Sequence, residues 1–361
     1  MLARLPHLLG PALLVVLAVA AQADDPARVR LVAAPGGGRP IVAETGPRGE
    51  VHLVCDADDG PYYVKSVDDG ETFTDPIKVV QGAPRIDGLE FQTWDMAIGK
   101  NGRVHVVLGT NAWKLKLPQD QWGLHYTSLD ADAKAFTTVR NLNGMPSEGY
   151  SIAADQSGSV AAFFLSNGLH CCSSRDDGKT FGPPREVNSK CDPCKCCTTS
   201  VAYGPEGKLA CFYREESDNK RDMYALIIGK DGRHTRTRVS STPWEVNACP
   251  MTYFNVRATK DGWLAVWPTK GEIYFAKLDT SGKVIAPGEV KTPGRSGMRT
   301  GVLVRDLPSG ETVVAWNRSG GIGWQVYDAK GKAVGKPGEA RTSGNGVAGA
   351  VTRRGDLLLF H

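Results

Sequence analysis

The chain has 361 residues, 43 basic against 39 acidic, for a formal net charge of +4. That mild charge is spread along the chain, so composition gives no case for nucleic acid as a partner. Glycine (42) and proline (22) are plentiful, helical periodicity is scarce, and no segment after the N-terminus is apolar enough to cross a membrane, which excludes helical bundles and stable membrane insertion.

The N-terminus reads MLARLPHLLGPALLVVLAVAAQADD. Arg4 supplies a positive start, Leu8 to Ala20 an apolar stretch, and Ala21-Gln22-Ala23 a small-x-small cleavage site. This predicts a secretory signal peptide over residues 1–23 and an exported product, periplasmic or secreted, over 24–361.

Beyond it one pattern recurs: an apolar strand, a turn containing glycine, and a second apolar strand. The second strands are VHLVC from Val51, VHVVL from Val104, VAAFF from Val160, LACFY from Leu209, WLAVW from Trp263, TVVAW from Thr312 and LLLFH from Leu357, with starts 45 to 56 residues apart. The turns before them (GPRGE, GKNGR, DQSGS, GPEGK, TKDGW, LPSGE, TRRGD) each carry a glycine, which supplies the positive φ of a tight hairpin. A further strand pair often follows, as in PYYVKS, GLHYTS, GLHCCSS, DMYALII, EIYFAKL and GWQVYDA. About four short strands in about 50 residues describe a blade of a β-propeller. The fold class is therefore all-β, one propeller domain of seven blades, or six if the last hairpin forms none. The orphan strand RVRLVAA (Arg28–Ala34) is placed to complete the last blade and close the ring.

Two turns share a motif. Ser66, Asp68, Gly70, Thr72 and Phe73 form S-x-D-x-G-x-T-F, and Ser174, Asp176, Gly178, Thr180 and Phe181 repeat it two blades later. The pattern resembles the Asp-box, or bacterial neuraminidase repeat, of sialidase-like propellers. That resemblance implies boxes away from the active centre, and a superfamily of sialidases, other glycosidases, lyases and non-catalytic binding proteins. A cysteine-rich segment before an inner strand, followed by Tyr213-Arg214 and Arg221-Asp222, resembles a bacterial subgroup of the same superfamily.

In a propeller the links from one blade's outer strand to the next blade's inner strand reach the central channel. Here they project Arg39, Trp94-Asp95, Glu148-Gly149-Tyr150, Cys196-Cys197-Thr198, Cys249-Pro250-Met251, Met298-Arg299 and Asn345. A sialidase-type site, on this resemblance, holds a sugar carboxylate with three arginines and uses a tyrosine nucleophile, its glutamate partner and an aspartate acid. Asp95, Glu148 and Tyr150 are the catalytic candidates. Arg39, Trp94 and Arg299 are the substrate-binding ones, with a third arginine from Arg85, Arg214, Arg221 or Arg257. The family's N-terminal Arg-Ile-Pro is replaced by Gly38–Ile41 in another order, and its glutamate and tyrosine come from separate late blades rather than one tripeptide.

The expected ligand is a carbohydrate or small molecule, and no motif specifies a metal or cofactor. The two rival readings are a non-catalytic binding or assembly propeller and a soft-metal-binding exported protein. Nine cysteines include four within Cys191–Cys197. In an exported chain they are read first as disulfide candidates: Cys171, Cys172, Cys191, Cys194, Cys196, Cys197, Cys211 and Cys249. A thiolate site for an ion such as Cu(I), and a redox role, are the alternatives.

Overall fold

The structure is a computed structural model that describes residues 29–83, 86–342 and 347–361. The segment read as a signal peptide, together with Arg85 and Asn345, lies outside the described residues.

Seven antiparallel hairpin sheets form a β-propeller. Their inner strands are Arg39–Thr45, Phe91–Ile98, Glu148–Ala154, Thr199–Tyr203, Asn255–Thr259, Val302–Asp306 and Ala348–Val351, and they define blades 1 to 7. Each apolar repeat strand is the second strand of its blade, from Val51–Ala57 in blade 1 to Leu357–Phe360 in blade 7. These strands read as continuous apolar runs because both faces are covered. In blade 1, Val51, Leu53 and Cys55 pack against Ala350, Leu358 and Phe360 of blade 7. Val54 packs the other way, against Met96, Val106 and Leu108 of blade 2.

Blades 1 to 6 have four strands and blade 7 has three. Its third is the N-terminal strand Val29–Val32, paired in parallel with Leu357–Phe360. The direction follows from the path of the chain. Every outer strand must deliver the chain to the face where the next inner strand begins, and Val29–Val32 does this for Arg39. The join continues with Ala34 N–H donating to the His361 carbonyl at 2.8 Å. Closure leaves no open sheet edge between first and last blades.

Both S-x-D-x-G-x-T-F segments fold into the same turn between third and fourth strands. Ser66 Oγ donates to Asp68 Oδ1 (2.8 Å) and accepts from Gly70 N–H (2.8 Å), while Asp68 accepts from the Thr72 N–H (2.9 Å) and hydroxyl (2.6 Å). Ser174, Asp176, Gly178 and Thr180 repeat the pattern at 2.7, 2.9, 2.9 and 2.6 Å. Each turn latches its blade to the preceding one. Phe73 meets Phe360 edge-on at 5.9 Å, and Phe181 meets Tyr126 at 4.9 Å. Asp69 accepts from Arg353 N–H at 2.9 Å, and Asp177 pairs with Arg103 at 3.1 Å. The turns lie on the face opposite the inter-blade links.

Candidate functional site

The inner strands surround a cavity of about 1480 Å³ along the propeller axis. Near the face where the links arrive, here called the mouth, three successive inner strands lose register with their neighbours: at Pro40/Val42, Thr93/Asp95 and Glu148/Ser151. Such bulges re-aim side chains. They leave Ile41, Trp94 and Tyr150 without strand partners, and all three line the cavity. Gly149 takes φ +68°, and a Cβ there would sit 2.7 Å from the Cys197 carbonyl oxygen, so this bulge requires glycine. Arg39, Trp94, Asp95, Glu148 and Tyr150 sit inside inner strands rather than upstream of them.

An ion pair crosses the channel. Arg257 of blade 5 grips Glu44 of blade 1 through both guanidinium nitrogens, one at 2.7 Å. Arg305 of blade 6 lies 3.9 Å from Glu44, donates to the Ala43 carbonyl (3.1 Å) and donates to Asn255 Oδ1 (3.1 Å). Burial and the neighbouring Arg257 push Arg305 down to about 9. Closer to the mouth, Asp95 accepts from the N–H groups of Met96 (2.9 Å) and Ile152 (3.0 Å). Burial, reinforced by the Glu44 charge, lifts its carboxyl to about 7 against the opposing effect of Ile152 N–H and Arg257. Glu44, Asn255 and Arg305 were not singled out by the link projection. The available signal was a polar side chain within each inner strand, in VAET, NVRAT and VLVRD.

The mouth is lined by Arg39, Arg295, Arg299 and Arg318, with Trp94, Tyr150 and Tyr253 beside them. Arg39 pairs with Asp56 at 3.3 Å, Arg295 with Glu272, and Arg318 with Glu339. The charge of Arg299 opposes the upward push of burial on the Glu148 carboxyl. Tyr150 stacks edge-on with Trp94 at 5.1 Å and donates its hydroxyl to the Ser147 carbonyl at 2.5 Å. Burial raises the Tyr150 phenol well above its ordinary range. Glu148 lines a separate, smaller depression with Pro193 and Lys195. The structure thus brings Arg39, Trp94, Asp95, Tyr150 and Arg299 to one cavity and sets Glu148 apart from Tyr150. Arg214 and Arg221 are buried outside it: Arg214 lies over the Trp244 ring and Arg221 pairs with Glu216.

One pair of the candidate cysteines is bonded, Cys196 to Cys249, joining two successive links at the mouth face. Cys171, Cys172, Cys191, Cys194, Cys197 and Cys211 are thiols, as is Cys55. Burial raises Cys172 to about 11 and Cys211 well above the ordinary thiol range. Tyr213 donates to Cys191 Sγ at 3.0 Å. Among the described residues no helix is long and apolar enough to cross a membrane.

No protein-family model and no curated protein matches the sequence. Solved structures do match in shape. A chain in the crystal structure of the mitotic checkpoint complex aligns over 98% of this chain and 91% of its own, at TM-score 0.53 and 9% identity. A polysaccharide lyase of family PL25, an ulvan lyase, aligns over 87% and 86% at TM-score 0.50 and 12% identity. The K499G mutant of NanB sialidase from Streptococcus pneumoniae aligns over 77% and 64% at TM-score 0.49 and 8% identity. At such identities likeness speaks of the fold, and the fold is a seven-bladed β-propeller.

Proposed function

We propose that this is an exported, sialidase-like propeller that receives an acidic sugar at its mouth. One observation carries the reading: Arg39, Arg295, Arg299 and Arg318, with Trp94, Tyr150 and Tyr253, gather at the mouth of a single cavity that an ion pair spans deeper in the channel. Guanidinium groups recognise carboxylate and sulfate through paired hydrogen bonds, and aromatic rings present the flat apolar surface on which a sugar stacks. Arg299 is the leading anion contact, because the other three arginines already hold carboxylates. The shared turn geometry of the two S-x-D-x-G-x-T-F segments supports their reading as Asp-boxes. The polysaccharide lyase among the propellers of similar shape agrees with this reading without carrying it.

Binding is favoured over sialidase chemistry. The Tyr150 hydroxyl is committed to Ser147, and Glu148, whose charge reaches Tyr150, lines a different depression, which argues against the two acting as a nucleophile pair. A second reading, acid-assisted glycoside cleavage, rests on Asp95, whose raised pKa keeps part of its population protonated near neutrality.

The test is calorimetric titration of the full mature chain with sialylated, uronate-containing, sulfated and neutral oligosaccharides. The same samples are assayed on fluorogenic glycosides. Binding of an acidic class, reduced at least tenfold by Arg299→Ala and weakened by salt, is the expected result. Equal affinity for neutral sugars, or none for any acidic one, overturns the proposal. Turnover lost in Asp95→Asn would move the second reading ahead.

A further inference from the structure

The mouth face carries a second constellation, separate from the arginine-lined cavity. Cys194, Cys196 and Cys197 lie in the link entering blade 4, and Cys249 lies in the link entering blade 5. The structure gathers all four sulfurs. Cys194 Sγ is 3.2 Å from Cys197 Sγ and 3.9 Å from Cys196 Sγ. The sulfurs of Cys194, Cys197 and Cys249 lie within 4.8 Å of one another, and Cys249 is the residue joined to Cys196. We propose that these four cysteines form a tetrathiolate site for one thiophilic d10 ion, Zn(II) or Cu(I), which pins the link entering blade 4 to the link entering blade 5.

The size fits. Four sulfurs about 2.3 Å from a tetrahedral zinc ion stand about 3.8 Å apart, close to the 3.2 and 3.9 Å that separate Cys194 from Cys197 and Cys196, while Cys196 and Cys249 must part from their bond to take their places. The donor set is all sulfur, and thiolates select zinc and cuprous ions over hard cations. The surroundings are largely apolar: Cys194 and Cys197 are buried with Phe212, Met223, Phe254 and Trp267 in one cluster, and Cys196 and Cys249 pack partly buried against it.

A second observation concerns charge. Arg214 is 1% exposed and abuts Cys197 and Cys194. Its guanidinium donates to the carbonyls of Arg221 and Pro268 and to Thr252 Oγ1 at 3.3 Å, and Asp222 is the one carboxylate whose charge reaches it beside the two cysteines. A buried cation is costly unless an anion lies near. A zinc ion with four thiolates carries a net charge of −2, and Arg214 lies where it offsets that charge.

Loading is written for the chain whose thiols are still reduced as it folds. Four thiols and Zn(II) give the tetrathiolate and four released protons, with no change of oxidation state. The Cys196–Cys249 bond is the alternative, oxidised form of the same knot. Metal taken up during folding holds these two sulfurs as thiolates and excludes the bond.

The test folds the full mature chain with Zn(II) or, anaerobically, Cu(I). Bound metal is then counted by mass spectrometry after exhaustive dialysis, and disulfides by non-reducing peptide mapping. One equivalent retained, a metal–sulfur distance of about 2.3 Å by X-ray absorption, and no Cys196–Cys249 bond support the site. The ion that survives competition by the other identifies its occupant. Cys194→Ser and Cys249→Ser are expected to lose the metal, and Cys55→Ser to keep it. Metal-free folded wild-type protein from both preparations, carrying the Cys196–Cys249 bond, overturns the proposal whether or not any variant folds.

Discussion

Arg257 reaches across the propeller axis to Glu44, 213 positions away in sequence, and holds both oxygens of its carboxylate. Arg305 lies against the same carboxylate, so one acid faces two cations in the interior. Glu44→Gln leaves both cations with only the more distant Asp95 carboxyl, whereas Arg257→Met leaves Glu44 with Arg305. Glu44→Gln is expected to cost about 2 kcal/mol or more, between the values for exposed and buried pairs. Arg257→Met should cost less. Urea unfolding of both variants checks the order, and the reverse order would show that Arg305 does not share the carboxylate.

Two groups, the buried His52 and the half-buried Asp95, pull stability in opposite directions with pH. His52 is held neutral, mainly by burial, with its pKa lowered to about 4, so its contribution is present above pH 6.5 and is lost as pH falls toward 4. Asp95 is raised to about 7 from an ordinary value near 4, so its contribution is present at pH 4 and is lost as pH rises to 7. Between pH 4 and 6.5 the two slopes partly cancel. His52→Gln, which preserves an acceptor for the Tyr63 hydroxyl now 2.7 Å from Nδ1, should make the rise of stability with pH shallower. Asp95→Asn should make it steeper. Urea midpoints at several pH values read both effects, and parallel curves for wild type and variants would refute them.

The two latch turns differ in what their glycines touch. A Cβ on Gly178 would stand 2.0 Å from the Tyr126 hydroxyl oxygen, which is itself hydrogen-bonded to His105 at 2.7 Å. A Cβ on Gly70 would stand 2.3 Å from the end of Leu358, a side chain that can turn aside. Both glycines have positive φ, so both alanine variants carry strain of about 1 kcal/mol. Gly178→Ala is expected to lose clearly more than Gly70→Ala in thermal unfolding. Equal losses would mean that Tyr126 moves freely.

Removing the N-terminal strand should open the ring. A chain beginning at residue 35 loses the pairing of Val29–Val32 with Leu357–Phe360 and the Arg30 contacts to the Asp69 carbonyl and Glu71. Its last blade keeps two strands and exposes an apolar edge. A lower unfolding midpoint and concentration-dependent association are expected by calorimetry and light scattering. An unchanged midpoint would show that closure contributes nothing.

The blade count was legible because each second strand must be apolar on both faces, which leaves a dense run such as VHVVL or WLAVW every 45 to 56 residues. The latch turns were legible because their hydrogen bonds are local, made between residues two to four apart. Closure by the N-terminal strand was legible because one strand lacked a blade and one blade lacked a strand.

The interior of the channel was legible only in part: Asp95 and Arg257 were among the candidates, while Glu44 and Arg305 were not. Glu44, Asp95, Arg257 and Arg305 come from four blades, and no local rule links charges that meet only when a ring closes. Glu148 and Tyr150, neighbours in sequence, are separated because Gly149 forms a bulge between them. Sequence alone settled the repeating unit, since periodicity and turn chemistry act over a few residues. Only the tertiary structure decided which side chains share the axis, because that depends on strand register and bulges in blades hundreds of residues apart.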